Sequence, residues 1–345
     1  MRYTKQSLES FGKDVKAWDD SLVDVRAPMD TAKFADWKLI TTEQTIFGLS
    51  TQIGELTDQG YRTLCDKLQL PATWLRDKCP DDLRKTIFDR VMGDYDKECL
   101  FRYRNTAGKQ YCRAVLSDRY MVYNHWDMWQ AIADGIEQTR LSTLQPVVWK
   151  PWLDDYMSAW VLFEGVDADP DKPTSSYDGG GWGGLKPAIK ISNAEDGTGR
   201  INLQGGMYRG YCSNGVVFGF NTKTQVQQVH MGNQTKLVTA NIRIAIAETA
   251  HVAGLGIDKY IEATNEYINT AVDDVVDSWA AKYKLSEDVT QQWQGFCGRV
   301  TTWGDLVMAT SDFGGTRKNR EEMETFETLA GELLFAPHNQ FVVRQ

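Results

Sequence analysis

At Cys99 the hydrophobic period of this chain changes from that of a helix to that of a strand, and near Val238 it changes back. Apolar residues at alternate positions line one face of a pleated strand. Spacings of three and four line one face of a helix, so neither pattern serves the other structure. From Cys99, the run CLFRYRNTAGKQYCRAVLSDRYMVY alternates about Asn105-Thr106-Ala107-Gly108 and predicts a β-hairpin with a glycine-containing turn. Strands are predicted again near Pro146 and Met157, and two further pairs are predicted to turn at Asp196-Gly197 and Asn214-Gly215. One helix interrupts this region, capped by Asn124 and carrying Trp126, Trp129, Ile132, Ala133 and Ile136. Residues 167–184, rich in Asp, Pro, Ser and Gly, read as a loop.

The flanks read as helical. Tyr61, Leu64, Cys65 and Leu68 share one helix face that stops at Pro71. A second helix opens at Pro80-Asp81-Asp82, places Leu83, Ile87 and Val91 on one face and ends at Gly93. Beyond Val238 a long apolar stripe runs from Ile257 through Tyr260 to Trp279, suited to a core or to an interface between copies, with shorter helices around Trp293 and between Arg317 and Phe335. The resulting expectation is an α+β protein: a helical part over 1–98, an antiparallel β-rich core with an inserted helix over 99–236, and a helical part over 237–345, integrated as one domain.

Charge is spread unevenly. The net charge of −9 resolves into −3 over residues 1–98, +4 over 99–120, −7 over 121–184, +5 over 185–245 and −8 over 246–345. Both positive blocks fall on predicted strands, the expected footprint of a local polyanion site on an acidic protein. The strand cations of this basic β-core are Arg102, Arg104, Lys109, Arg113, Arg119, Lys186, Lys190, Arg200 and Arg209, interleaved with or near Tyr103, Tyr111, Tyr120, Trp182, Tyr208 and Tyr211. Guanidinium groups neutralise phosphates and aromatic faces stack on unpaired bases, so single-stranded nucleic acid is the partner this mixture suits. Solvated side chains on an ordinary sheet face would give the same composition.

Other chemistry finds less support. No two of Cys65, Cys79, Cys99, Cys112, Cys212 and Cys297 are close enough for a CxxC pair, and the four histidines show no zinc-ligand spacing. Free buried thiols and no metal or other cofactor are expected. Ser117-Asp118-Arg119-Tyr120 and Cys212-Ser213-Asn214-Gly215 read as turns rather than catalytic clusters. The glycine run 179–184 lacks the Gly-Lys-Ser/Thr ending of a P-loop. Asp154, Asp155 and Glu195 suit Mg²⁺ only if the fold makes them converge. The charged N-terminus has no signal-peptide core, and no run of about 20 apolar residues is present, so a cytoplasmic chain with no membrane span is expected.

Three strings, RAVLSDRYMVYN, ISNAEDGTGRINL and YRGYCSNGVVFG, together with LTDQGYRTLCDKLQLPATWL, TWGDLVMATSDFGG and EMETFETLAGELL, resemble a phage/plasmid-like family known as domain of unknown function 932. The resemblance spans most of the chain, rests on the order of the strings, and implies a mobile-element origin without a catalytic residue. The hairpin–helix–strand order is also similar to the fold of phage single-strand annealing proteins, a fold-level analogy. The combined expectation is a non-enzymatic, homo-oligomeric protein that binds single-stranded DNA in recombination or annealing. The alternatives are a protein-interaction or host-takeover factor and a Mg²⁺-dependent phosphodiester enzyme.

Overall fold

The computed structural model describes residues 5–45, 48–139, 145–164, 185–209, 214–217 and 225–336. It is an α+β structure built on two sheets. The first runs in the order β2 (Leu22–Pro28), β6 (Glu98–Thr106), β7 (Lys109–Ser117), β5 (Gly48–Leu56), β4 (Lys38–Thr45), β3 (Lys33–Ala35). The second runs β1 (Lys5–Ser7), β8 (Gln145–Leu153), β9 (Tyr156–Glu164), β10 (Leu185–Ala194), β11 (Ile201–Arg209), β12 (Asn214–Val217), with β13 (Gln225–Gln228) also pairing β11. Among the described pairs only β5 with β7 is parallel, through Glu55↔Tyr111 and Leu56↔Cys112.

Each sheet buries one face under helices. On the first sheet, Cys99, Phe101, Tyr103, Cys112 and Val115 pack with Tyr61, Leu64, Cys65 and Leu68 of α2 (Asp58–Leu68), Leu75 of α3 (Ala72–Asp77) and Phe88 and Met92 of α4 (Asp81–Gly93). The α2 face is the one its spacing predicts. Its Gly60 lies so close to β7 that a Cβ there would stand 2.2 Å from the Cys112 carbonyl oxygen, which no side chain tolerates. On the second sheet, Met157, Ala159, Val161, Ile189, Ile191, Ile201 and Leu203 pack with α1 (Leu8–Asp20), α5 (His125–Glu137) and α6 (Thr235–Asn265) through Phe11, Trp129, Ile132 and Ile242. A separate apolar core joins the end of α6 to α7 (Val272–Tyr283), α8 (Glu287–Phe296), α9 (Trp303–Thr316) and α10 (Arg320–Phe335).

The β6–β7 hairpin turns through Ala107 (φ 51) and Gly108 (φ 77), the two consecutive left-handed residues that a tight type I′ connection requires. The structure corrects four expectations. Residues 1–98 are not all helical but contribute five strands, including most of the first sheet. In β2, Val25 and Ala27 face inward while Arg26 faces out, a two-residue period too short to stand against its surroundings. Helix α4 buries Arg84, Phe88 and Met92, one position on from the face expected, and leaves Leu83 exposed. Its Arg84 stays inside because its guanidinium donates to the carbonyls of Leu75, Arg76 and Cys79. Asn214-Gly215 is not a turn but lies in β12, paired with Arg209 and Tyr208. The long stripe is not continuous but breaks between α6 and α7; its Tyr260, Ala263, Val275, Val276 and Trp279 lie in the C-terminal core, one of the two roles its spacing suits. No helix among the described residues is long and apolar enough to cross a membrane.

Candidate functional site

The two sheets meet at a line of buried charge that runs past a single irregularity in β7. Arg102 pairs with Ala114 and Tyr103 with Cys112, so Arg113 is an extra residue, a β-bulge. Cys112 and Val115 face the helices although three residues separate them, while Arg113 and Ala114 both turn to the opposite face, the one that carries Arg102. Had the hairpin register continued unbroken, Arg113 would stand opposite Arg102 and Ala114 would face the helices; the bulge adds Ala114 to the Arg102 face and returns Val115 to the helix side.

Arg102 is fully buried and makes a bidentate pair with Asp24, Nε–Oδ1 and Nη2–Oδ2 both at 2.9 Å. It also donates to the Glu195 carbonyl at 2.7 Å and to Asn124 Oδ1. Arg113, 1% exposed, holds Asp155 at 2.9 Å and Glu195 at 2.8 Å through Nη1. Glu195 follows β10 and reaches the N-terminus of α5, where the His125 backbone N–H donates to Oε1 at 2.5 Å and the helix dipole favours the anion. Burial works to raise the Glu195 carboxyl, but His125, Arg113 and Arg102 outweigh it and hold the carboxyl down at about 2. Burial likewise opposes the charge on Arg102, and Asp24 and Glu195 push its pKa up regardless. These residues are an ion-paired seam between the sheets.

Two histidines complete it. His125 accepts from Asn193 Nδ2 at its Nδ1 and donates from Nε2 to the Asp154 carbonyl, which fixes a neutral tautomer. Asn193 also donates to the Tyr123 carbonyl, so its oxygen is the atom turned to His230. His230 therefore faces two acceptors, Met121 O at 3.0 Å and Asn193 Oδ1 at 2.9 Å. Only an imidazolium would satisfy both, yet burial and the nearby Arg102 lower its pKa to about 4. Desolvating the charge costs several kcal/mol, against ~1–3 kcal/mol for one unmade bond, so the ring is neutral at pH 7. It stacks flat on Tyr120, ring centres 4.9 Å apart and 2° from parallel.

Beside this seam lies an open cleft of about 530 Å³. Its walls come from α2 (Thr63, Lys67), the end of β7 (Ser117), the 195–200 loop (Thr198, Arg200) and the segment after β13 (Val229, Met231), with Tyr120 and His230 behind them. Gly197 holds φ +85 and would drive a Cβ to 2.7 Å from Leu116, while Asp196 accepts from Thr198 N and Oγ1 at 3.0 and 2.6 Å, so the loop is held in one shape. Arg200 is exposed, and exposed Arg119 sits between Ser117 and Tyr120; neither has an ion-pair partner among the described residues.

The predicted cations thus divide. Arg102, Arg113 and Lys190 cannot reach a phosphate, because all three are buried against carboxylates. Lys190 is held by Glu327 at 2.5 Å and Glu324 at 3.8 Å of α10, which keep it charged against its burial. Tyr120 is 8% exposed and donates to the Ala194 carbonyl, and Tyr103 lies in the helix-side core. Arg104 is half-buried over the Trp18 ring, 4.3 Å from its centre. Lys109, Arg119 and Arg200 remain exposed, Lys109 at the hairpin tip away from the cleft lining. Lys186 and Arg209 lie on β10 and β11 with side chains outside the described part, and Trp182 and Tyr211 lie outside the described residues. Asp155 and Glu195 do converge, but on Arg113, while the Asp154 side chain accepts from Tyr156 N and Trp152 Nε1. Five cysteines are free and buried, and Cys212 lies outside the described residues. Reasoning from sequence overlooked Lys67, Val229 and Met231, which no charge block or strand pattern singles out.

Compared with protein-family models, curated proteins and solved structures, the chain matches none.

Proposed function

We propose that this chain is a non-enzymatic binder of single-stranded DNA that acts in phage or plasmid DNA metabolism and holds the strand across the cleft beside the seam. The observation that carries the reading is the placement of Lys67 and Arg200 in one cleft, with exposed Arg119 on its bordering turn, without an ion-pair partner among the described residues. These cations outnumber the one carboxylate in the lining, Asp66; a positive excess at a concave surface attracts a polyanion, and neutralising each phosphate releases condensed counterions. Apolar side chains in the same cleft, Val229 and Met231, favour a strand whose bases are free over a duplex whose bases are stacked inside. The order of the strings shared with the phage/plasmid-like family supports the biological setting.

The test is fluorescence polarisation of a labelled strand of ~30 nucleotides against its duplex at two salt concentrations, a length that exceeds the ~4–16 nucleotides one single-strand-binding module covers. Binding that prefers the single strand and weakens with salt is expected, and Arg119→Glu with Arg200→Glu should weaken it and flatten its salt slope. Absence of binding to either form at low salt removes the reading and turns attention to a protein partner for the acidic residues 246–345, which carry −8.

A further inference from the structure

Val229 and Met231 are 44% and 50% exposed, unusual for apolar side chains lining a cleft that also contains two cations. They flank His230, whose ring is fixed inward by Asn193 and by the face of Tyr120, and the Met231 N–H donates to the Val229 carbonyl at 2.8 Å, a tight local turn. With the residue between them anchored inside, both apolar side chains are held outward. Ser117 Oγ, also in the lining, has no hydrogen-bond partner among the described residues. The cleft therefore offers an apolar surface, a free hydroxyl and two cations, Lys67 and Arg200, against one carboxylate, Asp66, within a volume of about 530 Å³. That size falls within the ~300–1,000 Å³ of small-molecule sites.

A flat ring with apolar faces, hydrogen-bonding edges and a phosphate on each side matches that set. We infer that the cleft captures one unstacked base of the bound strand, its face on Val229 and Met231, its edge toward Ser117 and its flanking phosphates on Lys67 and Arg200. This rests on the single-strand reading and adds what that reading leaves open, that the protein holds the base as well as the backbone.

An abasic strand separates the two, since it has the charge of an oligothymidylate of equal length without its bases. Polarisation titrations of both strands at one salt concentration are expected to show the oligothymidylate binding about 10-fold more tightly, the effect of burying ~50 Å² of base face on aliphatic side chains at ~25 cal/mol per Å². The double variant Val229→Ala/Met231→Ala should bring that ratio toward one with an unchanged thermal midpoint, both side chains being substantially exposed. Arg200→Glu should weaken both strands together. Equal binding of the two strands by the unmodified protein overturns base capture and leaves backbone binding standing. A ratio that survives the double variant also overturns it, because the base is then held elsewhere. Failure of both strands to bind removes the single-strand reading and the inference with it.

Discussion

The seam and the cleft both draw on the cations of residues 99–120 and use them in opposite ways, the cleft adding Arg200 and Lys67 from elsewhere. In the seam, Arg102 and Arg113 lie inside and face Asp24, Asp155 and Glu195, which come from elements 42 to 93 residues away in sequence. At the cleft, Arg119 lies six positions after Arg113 and Arg200 five after Glu195, both exposed and without an ion-pair partner among the described residues. A run of positive charge is thus a mixture of two populations. One is neutralised by the fold and the other is left for something outside it, and the linear charge count weights them equally.

Substitutions should separate the two populations. The largest effect is expected from Arg113→Met, which strands Glu195 and Asp155 without their counter-ion. Breaking one side of a buried pair costs ~3–5 kcal/mol, and a denaturant titration would show it as a lowered midpoint. A midpoint within error of the parent would mean the seam adds nothing. Lys190→Met should cost a similar amount, and adding Glu327→Leu should recover most of it, because an apolar pair of similar volume often replaces a buried ion pair at little cost.

Acid should act on the same interior. His230 resists protonation until about 4 in the fold, against its ordinary 6.5, so stability present at neutral pH falls as pH drops from 6.5 toward 4. Glu195 stays ionised to about 2, against 4.5, so a second loss follows between 4.5 and 2. Each is a few kcal/mol at about 1.4 kcal/mol per pH unit. Unfolding midpoints at pH 7, 5 and 3 should therefore fall stepwise, and Arg113→Met should shrink the second step. A smaller effect, ~1 kcal/mol, is expected from Thr198→Ala, which removes one of the two hydrogen bonds that shape the cleft loop. The smallest is for Arg200→Met, whose folding midpoint should move by no more than about 0.5 kcal/mol. A large loss there would place Arg200 with the interior population.

Much of the fold was readable because its signals are local. The hairpin about Ala107-Gly108, the α2 face and the inserted helix α5 each rest on spacing or turn chemistry within a dozen residues. The strands of residues 22–56 are hard to read because the alternation in β2 and β3 is short and Thr, Gln and Ser interrupt that of β4 and β5, so a weak two-residue period yields to the strong helices after it. The cleft was harder still. Lys67, Arg200 and Met231 meet through three loops and a helix end, and no local rule links them. Nor does the sequence show that Arg102 and Arg113 point inward, since that depends on carboxylates from β2, the β8–β9 turn and the loop after β10.

That bulge reverses a usual expectation about length changes. In an ordinary strand, losing one residue flips all that follows to the wrong side, so a deletion does more harm than a substitution. β7 already carries one residue more than its partner, and removing Arg113 would return the strand to a perfect pleat with Val115 still facing α2. A one-codon deletion there would spare the sheet's geometry and take only the charge. A one-codon deletion at any neighbouring position between Tyr111 and Leu116 would also absorb the bulge, but at the cost of changing which side chain stands opposite Glu195.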